Sequence, residues 1–293
     1  MQFFLNSVFF SYSQILFSNR RWLGALVLLA TFASPKIALM SLLGVILSNY
    51  TAYLLRFEPA KIESGFYGFN GILFGAATVF YYELTPLFLL LIPLFVVISF
   101  LISAVLENHL AVTFNLPGLS LPFVITVFIY IIFLGNYSDI QLAQNQTDVE
   151  YFSFLPLLVK NYFKSLALIY FQPNIITGVI VALAILVFSR ALFVLSITSF
   201  FLSGLVLQLL LPGQSESLAI IVGFNAIITS FALGGSLVLP SGKSFLLTLF
   251  ATAVIVLMTG FFSILLTGYG LPVLVLPFNF VSLATIYCLK FRK

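Results

Sequence analysis

YGFNGILFGAA (Tyr67–Ala77) and VGFNAIITSFA (Val222–Ala232) each carry Gly-Phe-Asn at the head of a long apolar stretch. Their glycines, Gly68 and Gly223, are 223 − 68 = 155 residues apart. A second pair of motifs keeps this offset: NLPGLSLPF (Asn115–Phe123) and GLPVLVLPF (Gly270–Phe278), with Pro117 and Pro272 again 155 apart. An offset of about half the chain, shared by two independent motifs, implies internal duplication.

Composition fixes the solvent in which the two copies fold. Of the 293 residues 62% are hydrophobic and 7% charged, with a mean hydropathy of +1.20. Soluble domains carry roughly 25% charged residues, so this chain lacks the means to cover a water-facing surface. Each spanning helix needs roughly 20 apolar residues, which leaves room for about ten. The N-terminal stretch has no basic region before its apolar part, and its only charges are Arg20 and Arg21, so no cleaved leader is expected. The single Cys288 excludes an internal disulfide and a cysteine metal cluster, and the thiol is expected to be inert in a membrane-buried helix. The net charge of +4 lies in loops and at the C-terminus, a membrane-topology pattern rather than a nucleic-acid surface.

Apolar runs place five spans in each half, near 22–34, 37–55, 66–82, 86–106 and 121–137, then 175–188, 191–211, 219–239, 244–264 and 276–290. The short first span of each half has room to start earlier. The domains expected are a first repeat over 1–137, a polar linker over 138–150 and a second repeat over 151–293. An odd number of spans per copy makes the second copy enter from the opposite side, giving an inverted repeat. With both termini cytoplasmic, Arg20, Arg21, Arg56, Lys61, Arg190, Lys243, Lys290, Arg292 and Lys293 fall inside. Only Lys36, Lys160 and Lys164 fall outside, in keeping with the positive-inside rule. The linker acids Asp139, Asp148 and Glu150 then face out.

Between the fourth and fifth spans of each half, NHLAVTFNLPGLSLPF and LLTGYGLPVLVLPF carry two prolines each. Proline interrupts helical hydrogen bonding and is expected to leave nearby carbonyls unpaired within the helix. Such backbone at membrane depth is tolerated only inside protein or along a watery path. Interrupted segments at matching positions of inverted halves therefore point to a solute pathway, the plainer alternative being a kink at a helix–loop junction. The spans hold almost no ionisable groups, so nothing offers a proton relay, voltage sensor or ion cage. Neither an ATP-binding loop nor a dinucleotide fingerprint is present, and no cofactor or metal is expected. Phe69 pairs with Phe224 and, with one residue of gap, Phe17 with Phe171, each of the latter two lying seven residues before a glycine (Gly24 and Gly178). Four rings related in this way suit two narrow slots that admit a flat neutral solute.

The repeated Gly-Phe-Asn, the repeated LPxxxxPF and SQILFSNRRWLG resemble the urea transporter family, and a member of bacterial type, over nearly the whole chain. The resemblance implies an all-α integral membrane protein of two inverted five-span repeats, each with a re-entrant half-helix, about ten transmembrane helices in all. It implies a homotrimer in the bacterial inner membrane, not an enzyme, in which each subunit passes urea down its gradient between phenylalanine rings. Matched residue by residue, Gln14 takes the family's polar position at one slot mouth. Ile15 and Phe17 follow as wall, with Phe69 and Leu73 opposite and Ser120 in place of a pore-facing threonine. In the second half Leu168, Ile169, Phe171, Phe224, Ile228 and Val275 take the corresponding places.

Two positions depart from the family pattern. Leu168 stands where the partner of Gln14 is usually Gln or Glu, and Val275 stands where a threonine hydroxyl is expected. Backbone carbonyls then suffice in that half, or Gln172 substitutes through a shifted register, or the preferred solute is less polar than urea. Ammonia, a small amide and water are the transport alternatives, and a structural subunit without a pore is the rival from another class. Glu107 and His109 are solvated or capping groups at a span end, with a pH-sensing histidine as the sharper alternative. Asn70 and Asn225 either bond backbone or touch solute.

Overall fold

The protein is described by a computed structural model over residues 2–135, 142–143 and 152–291. The linker expected at 138–150, its three acids, and Arg292 and Lys293 lie outside the described residues apart from Leu142 and Ala143. Among the described residues the chain is helical, with one isolated antiparallel bridge between Tyr82 and Leu142.

The first half runs α1 (Gln2–Gln14), α2 (Arg21–Thr31), α3 (Pro35–Leu54), a short α4 (Pro59–Glu63), α5 (Phe69–Tyr81), α6 (Pro86–His109) and α7 (Leu121–Leu134). The second runs α8 (Leu157–Leu168), α9 (Ile175–Phe188), α10 (Arg190–Leu210), α11 (Glu216–Phe231), α12 (Gly242–Thr267) and α13 (Leu276–Leu289). π-Helical turns extend α6 over Leu110–Phe114 and α11 over Ala232–Ser236. Apart from α4 and the π-helical turns, which extend non-corresponding helices, the succession of helices is written twice.

Five stretches are long and apolar enough to cross a bilayer: Pro35–Leu54, Pro86–Phe114, Arg190–Leu210, Glu216–Ser236 and Gly242–Thr267. Five further apolar helices, α2, α5, α7, α9 and α13, have only 11 to 14 residues. At about 1.5 Å per residue, 14 residues reach roughly 21 Å, short of a hydrocarbon layer about 30 Å thick. A crossing by any of these would need non-helical backbone to complete it, which is tolerated where protein or a water-lined path covers it. The outward faces of the long helices are apolar, with Leu90, Val105, Phe250 and Ile264 all widely exposed, as suits contact with lipid.

The first spans do not start early. Residues ahead of them form separate helices, α1 and α8, each ended by a turn. α1 is rich in serine, and Ser7, Ser11 and Ser13 are buried in it. Their hydroxyls donate to Phe4 O (2.8 Å), Ser7 O (2.6 Å) and Phe10 O (3.0 Å), each in the preceding turn, so burial leaves none of the three unsatisfied. The proline pairs are also less disruptive than expected. Pro122 and Pro277 stand in the first turn of α7 and α13, where a missing N–H costs nothing, and Pro117 and Pro272 lie in the loops before them.

The chain divides into two compact units, residues 1–149 with Tyr170–Gln172, and residues 150–169 with 173–293. In the first, α5 packs on α3, α6, α7 and α1. A ring cluster of Phe74, Phe95 and Tyr130 fills the space between α5, α6 and α7, with centroids 4.9 to 6.2 Å apart. In the second, α11 packs on α8, α10, α12 and α13. There Ala226, Leu233, Ala251, Ile255 and Val281 form a buried core. Close approach at two matched glycines repeats between the units. A Cβ on Gly24 would strike the carbonyl oxygen of Phe9, and one on Gly178 that of Phe163, so α2 crosses α1, and α9 crosses α8, nearly backbone to backbone.

Candidate functional site

Three pairs of residues with left-handed backbone stand at matched positions of the two halves. Phe17 (φ 56°) pairs with Phe171 (58°), Leu119 (50°) with Leu274 (52°), and Asn115 (49°) with Gly270 (64°). A bulky L-residue in this region is strained, by about 1–3 kcal/mol, and persists only where its surroundings enforce it. Among the described non-glycine residues with positive φ, only Arg56 falls outside these pairs. The strained turns coincide with the segments singled out from sequence. Two are the phenylalanines that follow α1 and α8, and two immediately precede Ser120 and Val275.

In the first unit the chain brings several expected wall residues onto adjoining elements. Gln14 ends α1, and Ile15 follows it, buried. Phe69 and Leu73, four residues apart, share one face of α5, and Ser120 is the residue capping α7. α5 packs against both α1 and α7, so the elements that carry these residues adjoin. The tight turn before α7 is closed by Leu121 N–H donating to Gly118 O at 3.2 Å. Gln14 is itself held, its Nε2 donating to Asn19 Oδ1 (2.7 Å) and to Ser64 O (3.2 Å). Its carboxamide oxygen then remains the group suited to accept from a solute N–H.

In the second unit Leu168 ends α8 and Ile169 follows, Phe224 and Ile228 share one face of α11, and Val275 caps α13. The turn before α13 is closed in the same way, Leu276 N–H donating to Val273 O at 3.3 Å. Asn225, fully buried, donates from Nδ2 to Leu274 O (3.1 Å) and Ile221 O (3.1 Å), and its Oδ1 accepts from Phe278 N–H (3.2 Å). Asn70 does otherwise: its Nδ2 donates to Ser103 Oγ at 3.3 Å and its Oδ1 has no partner. Of the two fates expected for these asparagines, Asn225 thus takes backbone bonding.

Phe171 departs from the rest of its half. With Tyr170 and Gln172 it belongs to the first unit, where its ring meets Phe80 (5.5 Å), Tyr81 (6.2 Å) and Phe123 (5.7 Å), each edge to face. Tyr170 Oη donates to Tyr12 O (3.2 Å) and Gln172 Nε2 to Thr31 O (2.6 Å). Gln172, one of the groups suggested to substitute for the glutamine missing at Leu168, thus uses its amide nitrogen to anchor the segment that presents Phe171. Asn19, Tyr170 and Gln172 were not expected to position the site, and only their nearness to Gln14 and Phe171 in sequence signalled it.

Lys61 and Glu58 pair at 3.2 Å on the exposed α4 turn, and the hydrogen bond from Lys61 to Glu58 raises the lysine above its ordinary pKa. Lys164 and Glu216 pair at 3.2 Å, joining α8 to the start of α11. Among the described residues no three His, Cys, Asp or Glu side chains gather as a metal site would require. Cys288 is exposed on the surface of α13. An apolar groove of about 300 Å³ lies between α8, α9 and α10, lined by residues including Val159, Tyr162, Phe193 and Phe201, and none of the wall residues lines it.

A chain of long apolar helices, accompanied by shorter apolar helices, has the make-up of a multi-pass membrane protein. Its family is also shown. The urea transporter family profile matches residues 5–290, nearly the whole length, and the chain belongs to that family.

Proposed function

We propose that the protein is a passive urea channel in which urea moves in single file between phenylalanine rings, its amide groups handed between hydrogen-bonding oxygens. Urea is flat and neutral and carries four N–H donors and a strong acceptor, so a slot of ring faces edged by oxygens excludes hydrated ions while meeting its needs. Phe17, Phe69, Phe171 and Phe224 form the slots, with Ile15, Leu73, Ile169 and Ile228 as wall. Gln14 and Ser120 supply side-chain oxygens in the first half, and backbone carbonyls serve alone beside Leu168 and Val275. The observation that carries this reading is the left-handed pairing of Phe17 with Phe171 and Leu119 with Leu274, strain repeated at the two places where a filter would stand.

On the same reading the halves are inverted repeats, 1–137 and 151–293, joined by the linker 138–150. Each half holds five spans with one re-entrant half-helix, the latter at the paired proline segments Asn115–Phe123 and Gly270–Phe278. Both termini lie on the cytoplasmic side of a bacterial inner membrane, and three copies assemble as a homotrimer, each with its own pore. No energy coupling is involved.

Stopped-flow urea uptake into liposomes bearing the purified protein tests the proposal. Wild-type flux should far exceed that of empty liposomes. Gln14→Ala should slow it by about 5- to 150-fold, the range set by losing one hydrogen bond of about 1–3 kcal/mol to a desolvated solute. Leu168→Gln should preserve or raise it. Folded protein that passes no urea would refute the urea channel. Leu168 and Val275 favour one second reading, a filter for a less polar neutral solute, and faster passage of ammonia or a small amide than of urea would establish it.

A further inference from the structure

The turns that precede α7 and α13 share a backbone, yet they are restrained by different groups. In the second half Asn225 grips both sides of the strained Leu274, through Leu274 O and Phe278 N–H. The same asparagine of the first half, Asn70, is drawn instead to Ser103 on α6, whose counterpart 155 residues on is Met258 and offers no hydroxyl for Asn225. The first turn nevertheless holds Leu119 at φ 50°, and a left-handed leucine needs an outside restraint.

That restraint comes from α6. The carboxylate of Glu107 accepts from the backbone N–H of Gly118, next to Leu119. It lies so close over the turn that a Cβ on Gly118 would stand 2.9 Å from both its Cδ and its Oε1. A Cβ at position 118 would push the carboxylate off the amide, so glycine there gives the flexible glutamate its close approach. The corresponding residues of the second half are Phe262 and Val273, which can neither accept the bond nor leave room for it.

We propose that Glu107 is a positioning residue that fixes the turn Gly118–Leu121 and thereby sets where the Ser120 hydroxyl stands along the solute path. This rests on the channel reading for the role of Ser120 and on the structure alone for the clamp. The two halves thus hold one backbone geometry by two means: a neutral carboxamide in the second, a carboxylate in the first. A charge-assisted bond is stronger than a neutral one and suits a turn with no second clamp from Asn70.

The test compares full-length protein in nanodiscs with Glu107→Ala, Glu107→Gln and Gly118→Ala, following hydrogen exchange over 115–121 and 270–276. Exchange over 115–121 should quicken by about 10-fold or more in Glu107→Ala and Gly118→Ala, the loss expected of one charged hydrogen bond. It should rise much less in Glu107→Gln, whose amide oxygen still accepts though without the charge, and 270–276 should not change in any variant. The double variant should add nothing to either alanine change, since both remove the same contact. In liposomes the ratio of urea to methylurea flux should shift in Glu107→Ala and return in Glu107→Gln. Unchanged exchange over 115–121 in folded Glu107→Ala would overturn the clamp, and changed exchange with an unaltered flux ratio would overturn its role in the filter. If the wild type passes no urea, the channel reading falls with that role, while the exchange data still decide the clamp.

Discussion

Asn70 and Asn225 sit in the same tripeptide at the same place in the repeat, yet deleting their carboxamides should have very different costs. Asn225→Ala removes the donor to Leu274 O and the acceptor for Phe278 N–H, both inside the protein. Its third bond, to Ile221 O, is dispensable, because that carbonyl also serves as a helical acceptor. Each buried polar group deprived of its partner costs about 1–3 kcal/mol, and with partial relaxation of the turn the expected destabilisation is about 2–4 kcal/mol. Asn70→Ala removes a single long bond of 3.3 Å, and it also removes a buried oxygen that has no partner. Ser103 can turn its hydroxyl to the preceding helical turn, so the cost should be about 1 kcal/mol or less. Equilibrium unfolding in mixed micelles with a rising fraction of sodium dodecyl sulfate measures both. A difference of about 1–3 kcal/mol in favour of Asn225 is expected. Equal losses, or a larger loss at Asn70, would refute the inference that only Asn225 clamps its turn.

The other expectations concern packing and selectivity. Gly178→Ala and Gly24→Ala each drive a methyl into a backbone carbonyl that cannot rotate away and should destabilise by about 1–3 kcal/mol or more. Gly204→Ala, where nothing lies within 4 Å of the new Cβ, should be neutral or stabilising by up to about 1 kcal/mol, and thermal unfolding in detergent separates the three. Gln172→Ala withdraws the donor to buried Thr31 O and should cost about 1–3 kcal/mol. If that segment presents Phe171 to the path, the same change should lower urea discrimination in liposome uptake. Phe69→Ala and Phe224→Ala should reduce discrimination between urea and larger amides more than they reduce stability, and unchanged selectivity in folded protein would remove both rings from the filter. Lys164→Ala should cost no more than about 1 kcal/mol in the same unfolding assay, because its pair with Glu216 is partly exposed.

Apolar period and length made the long helices legible, and the 155-residue offset made the doubling legible without any structure. What escaped was α1 and α8. Hydropathy treats serine, asparagine and lysine as signs of water, but a serine hydroxyl can return its proton to the turn below it and become as acceptable in the interior as an apolar group. Ser7, Ser11 and Ser13 do this, so α1 buries a face that reads as polar. Clamps were hidden for a different reason. Whether an asparagine grips a turn or a neighbouring hydroxyl depends on what the next helix offers, here Ser103 against Met258, and that is a fact about packing rather than about the Gly-Phe-Asn motif.

On the proposed channel reading, the two halves differ in which part of the filter has changed. Backbone angles at the paired turns agree closely, 56° with 58° and 50° with 52°, although Leu168 takes the place of Gln14 in the repeat and Val275 that of Ser120. Side-chain oxygens are therefore not what shapes these turns. Phe278 N–H is held by Asn225 and Gly118 N–H by Glu107, so each strained loop is set by groups that need not touch a solute. On that channel reading, a pathway built in this way separates geometry from polarity: the clamps keep the turns in place, and the residues at 14, 168, 120 and 275 are left to tune hydrogen bonding. Under that division, restoring an amide at position 168 should alter flux without altering the fold, and for that reason Leu168→Gln is the more informative partner to Gln14→Ala.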